Sequence, residues 1–211
     1  MNEKGFNPKS ALKLLSNMDD DIKTAVENYG NPSDRALPAN FGTLARIIVG
    51  QQVSRSAATS IWTRLLDMGI EDSNIISRVK LEDMMMAGLS RRKSEYIIGI
   101  ANEILSGSLD LKSLSNLHGE EVKERLISIR GVGAWTADNY RLFALGDMDA
   151  WPANDIALQG GMKIIKSLDH RPNREEMESL GGNWRPYRGA GALLLWHVYG
   201  VVVKKADASN I

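Results

Sequence analysis

The stretch Leu126-Ile127-Ser128-Ile129-Arg130-Gly131-Val132-Gly133-Ala134-Trp135-Thr136-Ala137-Asp138-Asn139 decides the fold. An apolar helix ends, two glycines flank a single valine, and a second helix begins at once. Glycine tolerates positive φ and lets backbone come close to a partner. The N–H groups that open the second helix have no helical acceptors, and they point outward at the positive end of its dipole. Such a turn can grip a phosphate without any side-chain charge. A tight helix–helix turn closed by a glycine C-cap would use the same residues, so the stretch alone leaves both readings open.

Outward from the hairpin, nearly every periodic segment is helical. Phe41, Leu44, Ile47 and Ile48 recur at helical spacing, as do Ile61, Trp62, Leu65 and Leu66. Further helices are expected at about 9–17, 20–28, 81–87, 91–105, 119–128, 134–145, 155–166, 174–180 and 187–200. Turn signals fall between them at Asn31-Pro32-Ser33-Asp34, Ser106-Gly107-Ser108 and Gly181-Gly182-Asn183. No strand alternation persists, and no repeat or low-complexity linker interrupts the chain. The expected fold is all-α with short connections.

Composition narrows the chemistry. The 211 residues suffice for one domain or two small lobes, and the chain has no cysteine. That removes disulfides, iron–sulfur clusters and thiol nucleophiles together. His118, His170 and His197 lack metal-ligand spacing, which argues against a catalytic metal held by side chains. Twenty-six basic and 26 acidic residues cancel. A chain that coats nucleic acid normally shows a basic face, so any DNA contact here has to be local, through backbone amides or a patch such as Arg91-Arg92-Lys93. Met1-Asn2-Glu3-Lys4-Gly5 carries no apolar run behind a basic start, so no secretory signal is expected. No apolar run reaches membrane-spanning length; the longest, near Gly189 to Val203, is broken by glycines and His197. An intracellular protein without a membrane partner is expected.

At this point the chain resembles the helix-hairpin-helix DNA glycosylases, whose hairpin is followed by a Gly/Pro-rich loop and an aspartate, and most closely the 3-methyladenine DNA glycosylase II family. The resemblance rests on the hairpin and on Trp151-Pro152-Ala153-Asn154-Asp155-Ile156. It extends to Phe41-Gly42-Thr43-Leu44 through Gly50-Gln51-Gln52-Val53-Ser54, to Gly88-Leu89-Ser90-Arg91-Arg92-Lys93, and to Trp184-Arg185-Pro186-Tyr187-Arg188. It spans about residues 38–200.

The resemblance implies two helical lobes with a cleft between them, lobe A at about 1–37 plus 149–211 and lobe B at about 38–148. It implies a monofunctional glycosylase that flips alkylated purines, 3-methyladenine and 7-methylguanine, out of double-stranded DNA, acting as a monomer. Asp155 would be the catalytic carboxylate, stabilising the cationic sugar as the base departs; capping the helix that starts at Ile156 is its ordinary alternative use. Trp135 and Trp196 would form the base pocket, where an aromatic face favours a cationic base by about 0.5–2 kcal/mol; core packing is the alternative for each. Gln51 and Gln52 match the intercalating loop, with Gln52 at the plug position, unless the segment is simply a polar helix end with Ser54 as cap. Gly131, Val132, Gly133, Ala134 and Thr136 would hold DNA.

In relatives the hairpin carbonyls carry a monovalent cation, which by position would sit on Ile127, Ile129 and Val132. No cofactor is otherwise required, with Na+ or K+ the candidate there. Bifunctional relatives place a lysine where this chain has Trp135, so lyase activity is not expected. Asn154 stands where some relatives have an acidic residue, and Asn139 and Ile156 stand where some have pocket aromatics. Met84-Met85-Met86 reads as core filler and Arg188 as an ion-pairing structural residue. The rival reading is a non-catalytic hairpin protein that recognises damaged or abasic DNA; it would need Gly131 and Gly133 but not Asp155. An oxidised-purine glycosylase with lyase activity is disfavoured by Trp135.

Overall fold

The computed structural model describes residues 7–208, with side chains to residue 203. Met1 to Gly5, read above for a targeting signal, lie outside the described residues. Among the described residues the protein is all-α. Its first helices are α1 (Pro8–Ser16), α2 (Asp20–Tyr29), α3 (Phe41–Gly50), α4 (Arg55–Leu66), α5 (Ser73–Ile76), α6 (Leu81–Met86) and α7 (Arg91–Leu105). A short 3-10 turn (Ser113–Asn116) precedes α8 (Gly119–Ile127), α9 (Ala134–Phe143), α10 (Ile156–Ile165), α11 (Arg174–Gly182) and α12 (Arg188–Ala208).

Caps explain where these helices start. The side chains of Asn7, Asp19, Asn40, Ser54, Asp72, Ser90, Asp155 and Asn173 each accept a hydrogen bond from the first turn that follows. Helix α5 and the 3-10 turn are too short to register as a periodic apolar face, so the sequence does not announce them. Helix α12 runs past Gly200, where the reading above ends it. A glycine inside a helix costs only about 1 kcal/mol, and α12 is anchored by packing, with Ala190, Ala192, Leu193, Leu194, Leu195 and Val198 all essentially inaccessible. No helix among the described residues is long and apolar enough to cross a membrane.

The chain divides between Ala36 and Leu37 and again between Leu145 and Gly146. One unit contains α1, α2 and α10–α12, so it joins the two ends of the described chain. Its core packs α12 against α1, α2 and α10. Trp151 and Trp184 meet edge to face with centroids 5.7 Å apart. Asp19, the cap of α2, accepts from Lys166 Nζ at 2.6 Å and from Trp184 Nε1 at 2.7 Å, which ties the N-terminal helices to the C-terminal ones. Arg188 is a structural ion-pairing residue: it is 4% exposed and donates twice to the carboxylate of Asp149, from Nε at 2.9 Å and Nη2 at 2.7 Å.

The other unit contains α3–α9. Leu44, Ile48, Leu65, Ile76, Met84, Ile97, Leu126 and Tyr140 form its centre. Of the three consecutive methionines only Met84 is core. Met85 is 40% and Met86 77% exposed, because α6 shows one face to the core and adjacent residues cannot share it. Behind the hairpin, Asp138 is buried between Lys123 Nζ at 2.9 Å and Arg141 Nη1 at 3.0 Å, locking α8 to α9.

Candidate active site and nucleic-acid interface

Asp155 ends a buried loop and starts a helix. Trp151 and Ala153 are buried, Trp151 donates its indole N–H to the Met177 carbonyl at 3.3 Å, and Asp155 N donates to the Pro152 carbonyl at 2.9 Å. The carboxylate is half-buried at the N-cap of α10, with Oδ1 accepting from Leu158 N at 2.8 Å. The same oxygen accepts from the indole N–H of Trp196 on α12 at 2.9 Å. Capping and a functional role are therefore compatible: two donors on different helices fix the direction in which the carboxylate points. This contact depends on how closely α10 and α12 approach. A Cβ on Gly161 would lie 2.3 Å from the carbonyl oxygen of Leu195, and one on Gly160 would lie 2.4 Å from the Tyr199 ring. Gly161 lets the helices touch backbone to backbone one residue before Trp196, and Gly160 makes room for the Tyr199 ring. Trp196 is thus half-buried and hydrogen-bonded to the carboxylate, a role the sequence reading, which weighed only a pocket wall against core packing, did not contain.

In the other unit, the hairpin is shaped by its glycines unequally. Gly131 has φ +93°, and a Cβ there would sit 2.2 Å from the Tyr96 ring, so both conformation and neighbours demand glycine. Gly133 has an extended backbone at φ −92° and nothing within 4 Å of a built Cβ. No contact inside the protein requires glycine there, and the open space beside this N-cap leaves room for a partner. Helix α9 has no side-chain cap, and its first described intrahelical bond runs from Ala137 N to the Gly133 carbonyl. Val132 and Ile129 anchor the turn at 4% and 5% exposure, while Ile127 is 44% exposed. The Ile129 carbonyl already accepts from Val132 N at 3.1 Å and keeps one lone pair for a cation. These carbonyls lie at or just past the C-terminal, negative end of α8, so hard oxygen donors and dipole both suit a monovalent cation. Asn139 Nδ2 donates to the Trp135 carbonyl at 2.7 Å, and Trp135 itself is half-buried.

The loop between α3 and α4 is braced from two sides. Gln51 turns its side chain inward: Nε2 donates to Thr136 Oγ1 at 2.8 Å and to the Gly131 carbonyl at 3.3 Å. Thr136 is 1% exposed, so its hydroxyl serves this contact. Lys93, read above as part of a basic patch, also points inward and donates Nζ to the carbonyls of Val49 at 2.9 Å and Gln51 at 2.6 Å. Its ammonium caps the end of α3, where orphan carbonyls and the helix dipole attract a cation. Burial pushes its pKa below the usual lysine value. Between these braces, Gln52 is exposed and held at φ +53°, a conformation uncommon for a residue with a side chain. Val53 beside it is 39% exposed. Sequence alone does not separate Gln51 from Gln52; the structure makes one a strut and leaves the other projecting. Among the described residues no group of histidines and carboxylates could hold a metal ion.

Residues 45–186 match the family model of the HhH-GPD superfamily base excision DNA repair proteins. The chain is 30% identical over 165 residues to a putative DNA-3-methyladenine glycosylase of Bacillus subtilis, covering 74% of this chain and 58% of that protein. It is 30% identical over 198 residues to an alkylbase DNA glycosidase-like protein of Schizosaccharomyces pombe, covering 90% and 93%. It therefore spans little more than half of the bacterial relative and nearly all of the yeast one. Among solved structures, a 3-methyladenine DNA glycosylase of S. pombe in complex with abasic DNA superposes with a TM-score of 0.82 at 28% identity, over 89% of this chain and 95% of that one.

Proposed function

The chain belongs to the HhH-GPD superfamily of base excision DNA repair proteins, and on that premise we propose that it is a monofunctional DNA glycosylase that releases alkylated purines, 3-methyladenine and 7-methylguanine, from double-stranded DNA. The observation that carries the proposal is the Asp155 carboxylate, aimed by Leu158 N and the Trp196 indole together. Relatives in the bacterial and yeast comparisons bear 3-methyladenine glycosylase names, and the yeast structure holds abasic DNA, the product of base removal.

The chemistry asks little more of the protein. As the C1′–N bond lengthens, the electron pair leaves with the base, and positive charge grows on the sugar. A fixed carboxylate facing that charge lowers the barrier most where water is scarce. Water then adds to C1′, and its proton passes to a base, for which Asp155 is the candidate. A purine methylated at N3 or N7 is already cationic, so it departs as a neutral molecule and needs no acid to protonate it. Asn154, where some relatives carry an acidic residue, is consistent with that. Trp135 would stack on the flipped base, its face favouring a cation, and Gln52 would fill the space the base vacates and hydrogen-bond the orphaned partner. Gly131, Gly133 and Ala134 would present backbone to a phosphate, while Val132, whose amide is bonded to the Ile129 carbonyl, and the buried Thr136 would hold the turn in shape, with Na+ or K+ on the carbonyls of Ile127, Ile129 and Val132 as its counter-charge. With Trp135 in place of a lysine no Schiff base forms, so the product is an intact abasic site. The protein would act as a monomer inside the cell.

The test is release of free base from methylated duplex DNA. Wild-type protein should release 3-methyladenine, and Asp155→Asn should lose at least 100-fold while still binding abasic DNA. Full activity in Asp155→Asn overturns the assignment. Binding to abasic DNA with no base released by the wild type gives the molecule to the non-catalytic reading. A covalent adduct trapped by borohydride would overturn the monofunctional part.

A further inference from the structure

A protein with no net charge that binds DNA must concentrate its few available cations where phosphates lie. The structure engages two members of the basic run and the hairpin arginine inside the protein. Lys93 is turned inward onto the carbonyls of Val49 and Gln51. Arg91 and Arg130 share Glu95, at 3.9 Å and 3.8 Å. Arg92 remains exposed beside them, but Arg46 on α3 and Arg55 at the first position of α4 stand out because they come together. Both line a pocket of about 190 Å³ with Val49, Ala58, Thr59 and Trp62.

The pocket is built rather than incidental. The Arg46 guanidinium lies over the Trp62 ring at 5.8 Å from its centroid, which orients the group while leaving its N–H fork available. Thr59 hydroxyl is occupied by the Arg55 carbonyl at 2.9 Å and Ser54 caps Ala57 N at 3.2 Å, so the first turn of α4 is held in place. The pocket begins at Val49, whose carbonyl Lys93 holds, and Arg55 follows Gln52 by three residues. It therefore adjoins the projecting loop through residues on both of its ends, while Gln51 within the loop contacts the hairpin. Arginine forks match phosphate oxygens in pairs.

We propose that the Arg46–Arg55 pocket is a second phosphodiester site, taking one or two backbone phosphates beside the position where Gln52 enters the duplex. The hairpin and this pocket would then hold the backbone on either side of the loop, and the strand could be pinched while a base swings out. The inference rests on the DNA-binding reading above.

The experiment is the salt dependence of binding to an abasic duplex, measured by fluorescence anisotropy from 50 to 300 mM KCl. Each phosphate contact contributes about −0.9 to the slope of log K against log salt. Arg46→Gln and Arg55→Gln should each weaken binding regardless of the flanking base sequence, and the double variant should flatten the slope by about 1–2. Arg171→Gln, which removes one exposed positive charge from the other unit, should leave the slope unchanged. Thermal unfolding of each variant shows whether loss of the Arg46–Trp62 contact has harmed the fold; Arg55→Gln disturbs no described side-chain contact and carries the result alone if it has. A wild-type slope in Arg55→Gln and in a folded double variant overturns the pocket and leaves the glycosylase reading standing. Flattening by Arg171→Gln to the same degree would also overturn it, since net charge rather than a site would then be responsible. No binding of abasic DNA by the wild type removes both proposals.

Discussion

At the scale of single residues, the Trp196–Asp155 hydrogen bond separates two things that a tryptophan in a base pocket can do. An aromatic wall is nearly preserved in phenylalanine, whereas the donated N–H is not. Trp196→Phe should therefore fold normally and bind abasic DNA close to wild-type affinity, yet release base about 10–100-fold more slowly, because a carboxylate that has lost the indole donor no longer holds its aim. Single-turnover base release is the measurement. An unchanged rate with weakened substrate binding would mean that Trp196 serves only as a wall. Asp155 is the candidate because of its place after the hairpin and Trp151-Pro152, in a resemblance spanning several ordered motifs, and its capping of the next helix was open to the same reading. The bond to Trp196 was not, because it depends on how near two helices pass. That distance is set by Gly160 and Gly161, glycines that a helical pattern reads merely as tolerated.

At the scale of elements, the loop between α3 and α4 gains its shape from neighbours rather than from its own sequence. Two struts converge on it: Lys93 from α7 holds its backbone, and Gln51 reaches across to the hairpin. The Lys93→Met variant keeps the length of the aliphatic stem but leaves the Val49 and Gln51 carbonyls without their donor, at a cost of about 1–3 kcal/mol. We expect a lower unfolding midpoint and a larger loss of base flipping than of ground-state DNA binding, read by the fluorescence of 2-aminopurine placed at the target position. Wild-type stability and flipping in Lys93→Met would show that the loop needs no brace. The sequence offered Lys93 as the third member of a basic run, and a run of charges most often faces solvent. Only the tertiary position of α7 behind the loop turns it inward. The hairpin behaved oppositely. Its Gly131 was readable as a required glycine, and the structure supplies a second reason in the Tyr96 ring.

For the molecule as a whole, the all-α architecture was legible because periodic apolar faces, caps and glycine turns all pointed one way. That the two ends share a lobe was expected from the resemblance, but the ion pair that adds to their packing was not legible, since its residues lie 147 positions apart. Burial raises the pKa of Asp19, but hydrogen bonds from Lys166 and Trp184 outweigh it and hold the carboxyl below its ordinary 3.8. Burial likewise lowers Lys166, and its bonds to Asp19 and Asp21 outweigh that and hold it above 10.5. A depressed carboxyl contributes stability that is present above its unfolded pKa and fades as pH falls through the folded one; a raised lysine contributes below 10.5 and fades only above its folded value. The bridge is thus intact from about pH 4 to beyond pH 10 and fails first on the acid side. Asn still caps a helix, so Asp19→Asn should fold. It should be less stable than wild type at pH 7 and approach it as the pH drops below 4. Chemical denaturation followed at pH 7, 5, 4 and 3 measures the gap between the two proteins. A gap that stays constant across that range would show that the Asp19 charge contributes nothing to holding α2 against α10 and the Trp184 ring.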